Sequence, residues 1–410
     1  MHIAMFTDYY LPTLGGVQTS IKAQKEALEL AGHTVTVFCP LTTPSTDPTI
    51  VRLPTSRKFS PGGYPFVWPP QKAIKTARDE LIKLGDIDIV HTHSEMGATI
   101  AGLVAGKELG IPLVQTMHGR IDVYTKHLPA PVLMSHILEK LHSKHIQHLS
   151  IVKNDSSHYT KTALARRMWK IMVNQANFTN HVIVPSKHFA DKLLKQGVTT
   201  PLSVLSNGLE DSVLQQLVRS KPRKLAKNQK LKILWCGRVS PEKRPIEFLK
   251  AVRFLKNVEV SMYGDGVDMA KVKRYIVRYH LEDRVTVYGG VPQKDILRAM
   301  ASCHLFISTS YDFDNQPMVL LEAMAAGLPA MFCDPDMTEV VPAKGSTLTN
   351  SPDAQGIAES IEKLQDSPEQ ISHMSKAMLS SKKQAAQQSY TTQLLRIYAT
   401  AIKQSASPQK

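Results

Sequence analysis

The sequence predicts an α/β fold made of two doubly wound parallel sheets, with helices packed on both faces of each sheet. Short apolar runs alternate with longer amphipathic stretches through the first half of the chain. A basic stretch without acids, 219–232, interrupts this alternation, which then resumes through the second half. Strands that alternate with helices in this way form parallel sheets covered by the connecting helices.

Each predicted strand is a short apolar run bounded by glycine or proline. The first half of the chain has runs at 2–6, 34–39, 87–93, 112–118 and 181–186. The second half has runs at 232–238, 258–264, 285–290, 304–309 and 329–334. A helix is predicted over 19–31, between the first two strands. Ligands of such sheets bind at the carboxyl ends of the strands, which is where the polar candidates of this sequence lie.

These patterns divide the chain into four parts. We expect a first Rossmann-like domain over 1–205, a solvated and mobile basic linker over 206–230, and a second Rossmann-like domain over 231–385. The segment 386–405 contains a final predicted helix, 390–403, which we expect to return to the first domain.

Composition narrows the classes of function. Hydrophobic residues make up 42% of the chain and charged residues 21%, as in ordinary folded proteins. The four cysteines form no C-x-x-C pair, which argues against zinc or a disulfide framework and favours a reducing compartment. The net charge of +15 favours an anionic partner, and no motif indicates nucleic-acid binding. No apolar run reaches the roughly 18 residues of a membrane span, and no signal peptide is expected.

Six motifs occur in an order that resembles one enzyme family. They are TDYYLPTLGGVQTSI (7–21), VPSKHFADKL (184–193), VLSNGLE (204–210), GRVSPEKRP (237–245), YGDGVD (263–268) and DNQPMVLLEAMAAGLP (314–329). Their order and spacing resemble the retaining glycosyltransferases of family four, whose GT-B fold has two Rossmann-like domains facing across a cleft. The segment VQTMHGRIDVYTKHL (114–128) is similar to the diacylglycerol glucosyltransferases. The same glycolipid branch contains phosphatidylinositol mannosyltransferases.

Two cations and two glycines are candidates for binding a donor diphosphate. Arg238 and Lys243 follow a predicted strand and precede a helix, so an Arg fork and a Lys point charge can converge on one diphosphate. The resemblance implies that they neutralise the leaving nucleoside diphosphate; a solvated basic loop is the alternative. Gly15 and Gly16 lie between a strand and a helix, where backbone amides can approach the diphosphate, unless they form only a tight turn.

The acids Asp314 and Glu322 occupy the positions of a Glu-x7-Glu pattern in the family. The resemblance implies that Glu322 accepts hydrogen bonds from the nucleotide ribose, and a mere helix N-terminal charge is the alternative. Asp314 replaces the first Glu as a candidate catalytic residue, and because it is one methylene shorter, its reach to the donor sugar is open. A Gly-Phe-Gly sequence usually follows the first acid and is missing here. The residues implied to line the sugar pocket instead are Asn315, Gln316, Pro317, which offers no amide, and Met318.

One histidine is a candidate for contact with the donor sugar. His118 ends the apolar run 112–118, and the resemblance implies that it faces the sugar near the reaction centre. A buried histidine with satisfied hydrogen bonds is the alternative. Val291 follows a glycine pair after another strand, and the resemblance implies a backbone contact with the nucleobase.

The sequence does not predict a metal site. His93 and Glu95 follow a strand, but their spacing matches no metal-binding helix motif. We therefore expect metal-independent catalysis, with Arg238 and Lys243 in place of a cation. The donor, a UDP- or GDP-hexose, is then a substrate, and no cofactor is required.

A basic stretch of the first domain predicts a membrane contact. Residues 163–173 (ALARRMWKIMV) read as a helix that places Trp169 at a bilayer interface. The wider segment 137–170 carries seven Lys or Arg and two acids. Five histidines in 136–158 would add charge below about pH 6.5 if their pKa values were ordinary. An ordinary core helix with a basic outer face is the alternative.

Together these features predict a hexosyltransferase of the glucose or mannose class that acts on a lipid acceptor such as diacylglycerol or a phospholipid. We expect it in the cytoplasm, peripheral on the inner face of the cell membrane. The first domain would bind the acceptor and the second the donor. A glycosyltransferase with a soluble or cell-wall polymer acceptor is one alternative, and a catalytically weak sugar-nucleotide or anionic-lipid binding protein is another.

Overall fold

The computed structural model describes residues 1–11, 15–41, 45–56, 65–149 and 157–406. The chain divides into two compact units. The first contains 1–206 together with 387–410, and the second contains 207–386. Each unit has one parallel sheet covered by helices, so the predicted pair of Rossmann-like folds is confirmed.

The first unit is built on a seven-stranded sheet. Its strands, all parallel, lie in the order β3-β2-β1-β4-β5-β6-β7. They are β1 (His2–Phe6), β2 (Thr34–Pro40), β3 (Ile50–Leu53), β4 (Ile89–Thr92), β5 (Leu113–Thr116), β6 (His181–Val184) and β7 (Leu202–Val204). The helices are α1 (Gly16–Leu30), α2 (Pro70–Leu84), α3 (Gly97–Glu108), α4 (Ile121–Thr125), α5 (Pro131–His145), α6 (Ala163–Phe178), α7 (Lys187–Gln196) and, from the chain end, α15 (Gln387–Ala406).

The second unit has a six-stranded parallel sheet in the order β10-β9-β8-β11-β12-β13. Its strands are β8 (Leu231–Cys236), β9 (Val258–Tyr263), β10 (Val285–Gly289), β11 (Leu305–Ser308), β12 (Ala330–Phe332) and β13 (Ser346–Leu348). Its helices are α8 (Asp211–Gln216), α9 (Pro245–Val252), α10 (Met269–Arg278), α11 (Gln293–Ser302), α12 (Met318–Ala326), α13 (Ala354–Gln365) and α14 (Pro368–Ser380).

The structure has three strands that the sequence did not predict, β3, β7 and β13, and the predicted elements differ from the observed ones mainly at their ends. The run 112–118 is paired as a strand only over Leu113–Thr116, although the amide of the buried Met117 still donates to the Ile183 oxygen of β6. The first helix begins at Gly16 rather than at residue 19. Apolar runs therefore located the strands, whereas the ladder partners set their limits.

The segment predicted as a linker, 206–230, is not separate from the domains. Residues 207–230 belong to the second unit, where α8 packs into the core and the Arg223 side chain is buried. The Arg223 guanidinium donates to four backbone oxygens, that of Lys221 at 2.7 Å and those of Met300, Cys303 and Ala326 at 2.9–3.0 Å. The basic run predicted solvated side chains, but Arg223 is buried and donates to backbone oxygens at the C-terminal ends of α11 and α12.

The predicted membrane contact of Trp169 is also wrong. Trp169 is fully buried in the first unit, where its ring lies 5.0 Å from that of Tyr159. On the outer side of α6, Lys170 Nζ lies 3.0 Å from Glu139, which Arg167 also approaches. Burial lowers the pKa values of three of the five histidines, His142, His145 and His148, so these do not supply the expected charge. Lys153, one of the counted cations, lies outside the described residues.

Candidate functional site

In the first unit, polar side chains collect where β1, β4 and β5 end. His93 follows β4, and its amide donates to the carbonyl of Phe6 at the end of β1 at 2.8 Å. Its ring stacks on that of His118, with Nδ1 of His93 3.2 Å from Nε2 of His118. Burial lowers the pKa of His118 to about 4, so this partly exposed imidazole is neutral near pH 7. A neutral ring can both donate and accept hydrogen bonds.

His91 lies in β4, two residues before His93, and contacts the last helix, α15. Its Nδ1 lies 2.6 Å from the Tyr398 hydroxyl of α15, and its Nε2 lies 2.8 Å from the Thr116 hydroxyl. Burial lowers the pKa of His91 to about 3. Helix α15 thus packs against this edge of the sheet within the first unit.

Two carboxyl groups lie at the same edge. Asp8, which follows β1, accepts hydrogen bonds from the Ser94 hydroxyl at 2.6 Å and from the Ala98 amide at 2.9 Å. Burial, with the nearby Asp8 carboxylate, raises the pKa of Glu95 to about 8. Glu95 Oε1 is buried without a hydrogen-bond partner among the described residues. The sequence placed both acids after strands, but it did not predict that the two carboxyl groups lie close together.

In the second unit, the predicted cation and acid lie in contact. Lys243 Nζ lies 2.6 Å from Oδ1 of Asp314, 71 residues further along the chain. The backbone oxygen of Lys243 accepts a hydrogen bond from the Thr309 hydroxyl, which fixes the turn at the end of β11. Arg238, which follows β8, is the more exposed cation, with its Nε 3.5 Å from Glu242. These two cations share the loop between β8 and α9.

Glu322 lies in the first turns of α12, a helix whose residues are almost all buried. Its Oε1 accepts a hydrogen bond from the Gln293 side chain at 2.6 Å. Burial raises the pKa of Glu322 to about 7, against the opposing effect of that bond. Partial burial raises the pKa of the Cys236 thiol at the end of β8 to about 12, with Glu322 raising it further and Lys243 lowering it.

The remaining predicted residues of the second unit are Val291 and the segment from Asn315 to Met318, which leads into α12. Asn315 is buried, and the Gln316 side chain accepts from the Asn207 amide at 2.7 Å. Pro317 is the residue before α12, and Met318 begins the helix inside the core. Val291 packs against that same core cluster.

The loops at this edge come close together at a glycine. Gly264, directly after β9, has φ +125°, and a Cβ on it would lie 1.9 Å from the backbone oxygen of Gly237. No side chain fits there, so glycine is required for the ends of β8 and β9 to approach each other.

The predicted glycine pair lies at the beginning of α1. Gly15 has extended backbone with φ 175°, and Gly16 is the first residue of the helix. The first turn of α1 carries no acid, so its amides are not opposed by a side-chain charge. Residues 12–14 of this motif lie outside the described residues.

The predicted site residues therefore fall into two groups. His118, Gly15 and Gly16 belong to the first unit, and the other predicted residues belong to the second. Within the described ranges, no group of three or more His, Cys, Asp or Glu side chains could hold a metal ion. None of the described helices is long and apolar enough to cross a membrane.

Two residues of the second site escaped sequence reasoning. Gln293 holds Glu322, and the only signal for it is its place directly after the Gly-Gly-Val-Pro turn. Arg244, the residue before α9, has φ +53°, and its guanidinium donates to the backbone oxygens of Thr309 and Pro352. Arg244 thus anchors the turn that carries Lys243. Sequence reasoning assigned a role only to the neighbouring Lys243 and missed this one.

Comparison with protein families matches both units. Residues 14–213 match Glycosyltransferase Family 4, and residues 218–380 match Glycosyl transferases group 1. An alpha-monoglucosyldiacylglycerol synthase of Acholeplasma laidlawii is 25% identical over 345 residues, covering 80% of this chain and 79% of the relative. A protein of the same name from Streptococcus pneumoniae is 24% identical over 355 residues, covering 81% and 70%.

The fold also matches solved structures. The Anabaena protein HepE, crystallised in complex with UDP, superposes with a TM-score of 0.69 at 16% identity, covering 98% of this chain and all of that one. At this identity the likeness concerns the fold, which agrees with the two parallel-sheet units described above.

Proposed function

Because the chain belongs to the family-four glycosyltransferases, we propose that it transfers a hexosyl group from a nucleoside-diphosphate sugar to a hydroxyl group of a membrane lipid. One observation carries the donor part of this proposal. Lys243 Nζ lies 2.6 Å from Asp314 Oδ1, and Arg238 lies on the same loop as Lys243. Two cations suit a diphosphate, and an adjacent carboxylate suits a ribose or sugar hydroxyl.

We assign a role to each group of the second unit. Arg238 and Lys243 neutralise the diphosphate as it departs, while Glu322 accepts hydrogen bonds from the ribose. Asp314 Oδ2 is buried without a hydrogen-bond partner among the described residues, so this oxygen can accept a bond from the donor sugar. Backbone atoms of Val291 bind the nucleobase. Those of the segment from Asn315 to Met318 line the sugar pocket.

The first unit contributes the remaining groups. The amides at the beginning of α1, from Gly15 and Gly16, suit the negative charge of the diphosphate. His118 hydrogen-bonds the donor sugar as a neutral imidazole, which agrees with the lowered pKa that burial gives it. The pairing with His93 fixes the plane of its ring.

The reaction breaks the bond between the anomeric carbon and the diphosphate oxygen, and the electron pair stays on that oxygen. The acceptor hydroxyl oxygen bonds to the anomeric carbon on the same face, so the α configuration is retained. Its proton passes to an oxygen of the departing phosphate. The side chains stabilise charge and fix positions, because such electrostatic preorganisation contributes strongly to rate.

The lipid acceptor is supported by the names of the two relatives, both synthases of a glucosyldiacylglycerol. The net charge of +15 suits an anionic bilayer surface. We therefore propose a peripheral protein at the cytoplasmic face of the cell membrane. Its contact with the bilayer would not involve the buried Trp169.

A donor and acceptor panel tests this proposal. Purified protein is incubated with UDP- and GDP-hexoses and with vesicles that contain diacylglycerol and phospholipids, and the products are identified by mass spectrometry. We expect a lipid whose mass has increased by one hexose. Transfer to soluble glycans alone would contradict the lipid acceptor. Donor binding without hydrolysis or transfer would contradict an enzyme and favour a binding protein.

A further inference from the structure

A cavity of about 310 Å³ lies in the first unit, between helices α4 and α5 and the segment 65–68. Its wall is apolar, and we call it the tail cavity. The side chains that form most of its wall are Phe66, Trp68, Met96, Met134, Leu138 and Leu141. Packed protein cores leave few voids larger than a water molecule, whereas ligand sites occupy roughly 300 Å³ or more. The tail cavity therefore has the size of a ligand site.

One end of the tail cavity is polar and lies at the sheet edge described above. Asp8 and Tyr9, directly after β1, belong to its lining. The strand next to β1 leads to His93, which contacts His118. The polar end is therefore at the same edge of the sheet as the histidine that we assign to the donor sugar.

The other end is open to solvent. Trp68 and Ile137 line the tail cavity and are nevertheless 44% and 42% exposed, so they mark its mouth. A ligand that enters there extends from an apolar mouth towards a polar interior end.

The outer face of α5 beside the mouth is apolar and basic. Val132 and Leu133 are 58% and 61% exposed, although their neighbour Met134 lines the tail cavity. Lys126 and Lys140 are exposed on the same part of the chain. An exposed apolar patch flanked by cations suits the surface of an anionic bilayer. The mouth of the tail cavity would then meet the bilayer itself.

From these observations we propose that the tail cavity binds one acyl chain of the lipid acceptor, whose headgroup lies towards Asp8. The inference rests on the proposed lipid acceptor and adds the site that selects it. A single hydrocarbon chain matches a cavity of this size and wall chemistry, whereas a folded partner cannot enter it.

Direct binding provides the first test. The probe is cis-parinaric acid, a fluorescent fatty acid, which is titrated into the full chain and then displaced with dioctanoylglycerol. Met134→Trp fills the tail cavity from its wall, and Leu138→Trp does so from a second position. Ser143→Trp is the matched control, because it adds the same ring at an exposed position of α5 outside the cavity wall and the apolar patch. Thermal melting confirms that each variant is folded.

We expect saturable, displaceable binding by the wild type, loss of at least tenfold in affinity for the two wall variants, and a change below twofold for Ser143→Trp. The inference is overturned if the wild type does not bind the probe, or if folded wall variants bind it as the wild type does.

The acceptor chain-length series provides the second test and does not depend on any variant. Each methylene that enters an apolar site is expected to strengthen binding about fourfold. The KM for diacylglycerols with four, six and eight carbons per chain should therefore fall stepwise in the wild type. A flat series contradicts the tail cavity, even if both wall variants fail to fold.

The two tests separate this inference from the proposed function. Probe binding without glycosylation of any lipid would leave the apolar site and remove its assigned role in catalysis. Glycosylation of lipids with a flat chain-length series and no probe binding would leave the proposed function and remove the tail cavity.

Discussion

Lys243 Nζ lies 2.6 Å from Asp314 Oδ1, and the two side chains are only 19% and 10% exposed. The cation that we assign to the leaving diphosphate is therefore positioned by the acid that we assign to the donor sugar. Breaking one member of a buried ion pair leaves the other charge uncompensated, so each residue influences the contribution of its partner.

Loss of either cation should reduce turnover. We expect Arg238→Ala and Lys243→Ala each to lower kcat by about 10²- to 10³-fold, because each removes a donor that stabilises the departing diphosphate. Steady-state kinetics measures the change, and thermal melting checks the fold. Lys250→Ala is the control, since Lys250 is an exposed cation in the same unit. Wild-type turnover in both variants would exclude the assigned role.

Asp314→Asn should separate sugar positioning from nucleotide binding. The variant keeps the shape of the side chain but removes the charge that pairs with Lys243. We expect kcat to fall about 10- to 100-fold, the loss typical of one hydrogen bond to a charged group, while UDP or GDP binds at least as tightly as to wild type. Calorimetry with the nucleotide and kinetics with the donor give the two values. A parallel loss of both would mean that Asp314 acts only by holding Lys243 in place.

Nucleotide affinity should depend on pH through Glu322. Burial raises the pKa of this carboxyl to about 7, so its protonated fraction grows as the pH falls from 8 to 6. A protonated carboxyl is a weaker acceptor for ribose hydroxyls, so affinity should fall in the same direction. Nucleotide titrates as well, and Glu322→Gln therefore serves as the reference, because it lacks this contribution. Identical pH profiles for wild type and variant would contradict a role for Glu322 in ribose binding.

Transfer should continue in excess chelator. We expect less than a twofold change in kcat after EDTA treatment, since Arg238 and Lys243 provide the positive charge for the diphosphate. The assay compares the treated protein with the same sample after addition of Mg²⁺ or Mn²⁺. Complete inactivation by EDTA, with recovery on metal addition, would contradict this prediction.

Binding to anionic vesicles should depend on α5 more than on α6. Val132→Asp with Leu133→Asp should abolish co-sedimentation at low salt, because it places two acids in the exposed apolar patch. Replacing Arg166, Arg167 and Lys170 together by Glu should weaken binding less, since Glu139 already pairs with two of these cations. Each basic residue at the surface is worth about 1 kcal/mol, and salt should reduce the effect. Failure of wild type to bind anionic vesicles would contradict the membrane contact.

The amphipathic pattern of α6 shows why the sequence misplaced this contact. Periodicity indicates that Met168, Trp169 and Met172 share an apolar face, but it does not indicate what covers that face. In the structure the cover is the first unit's own core, which includes Tyr159 and Phe189. Exposed apolar residues of the first unit include Val132, Leu133 and Ile137 of α5 instead.

The basic run 219–232 shows the same limit for charge. Seven cations without an acid predict solvation on average, and most of the run does lie at the surface. The position of Arg223 depends on three carbonyl groups from distant parts of the chain. A local pattern contains no information about such partners.

The sequence by itself determined the two α/β repeats and the strand ends at which the polar candidates lie. Apolar runs and glycine positions encode these features locally, because apolar periodicity and turn geometry depend on each segment's own residues. Tertiary structure alone decided which polar side chains meet: Lys243 with Asp314, Gln293 with Glu322 and His93 with His118. These contacts join residues 71, 29 and 25 positions apart, and the sheet order brings them together. Burial then raises the pKa of Glu322 and lowers the pKa values of His93 and His118, because desolvation depends on the whole surrounding fold.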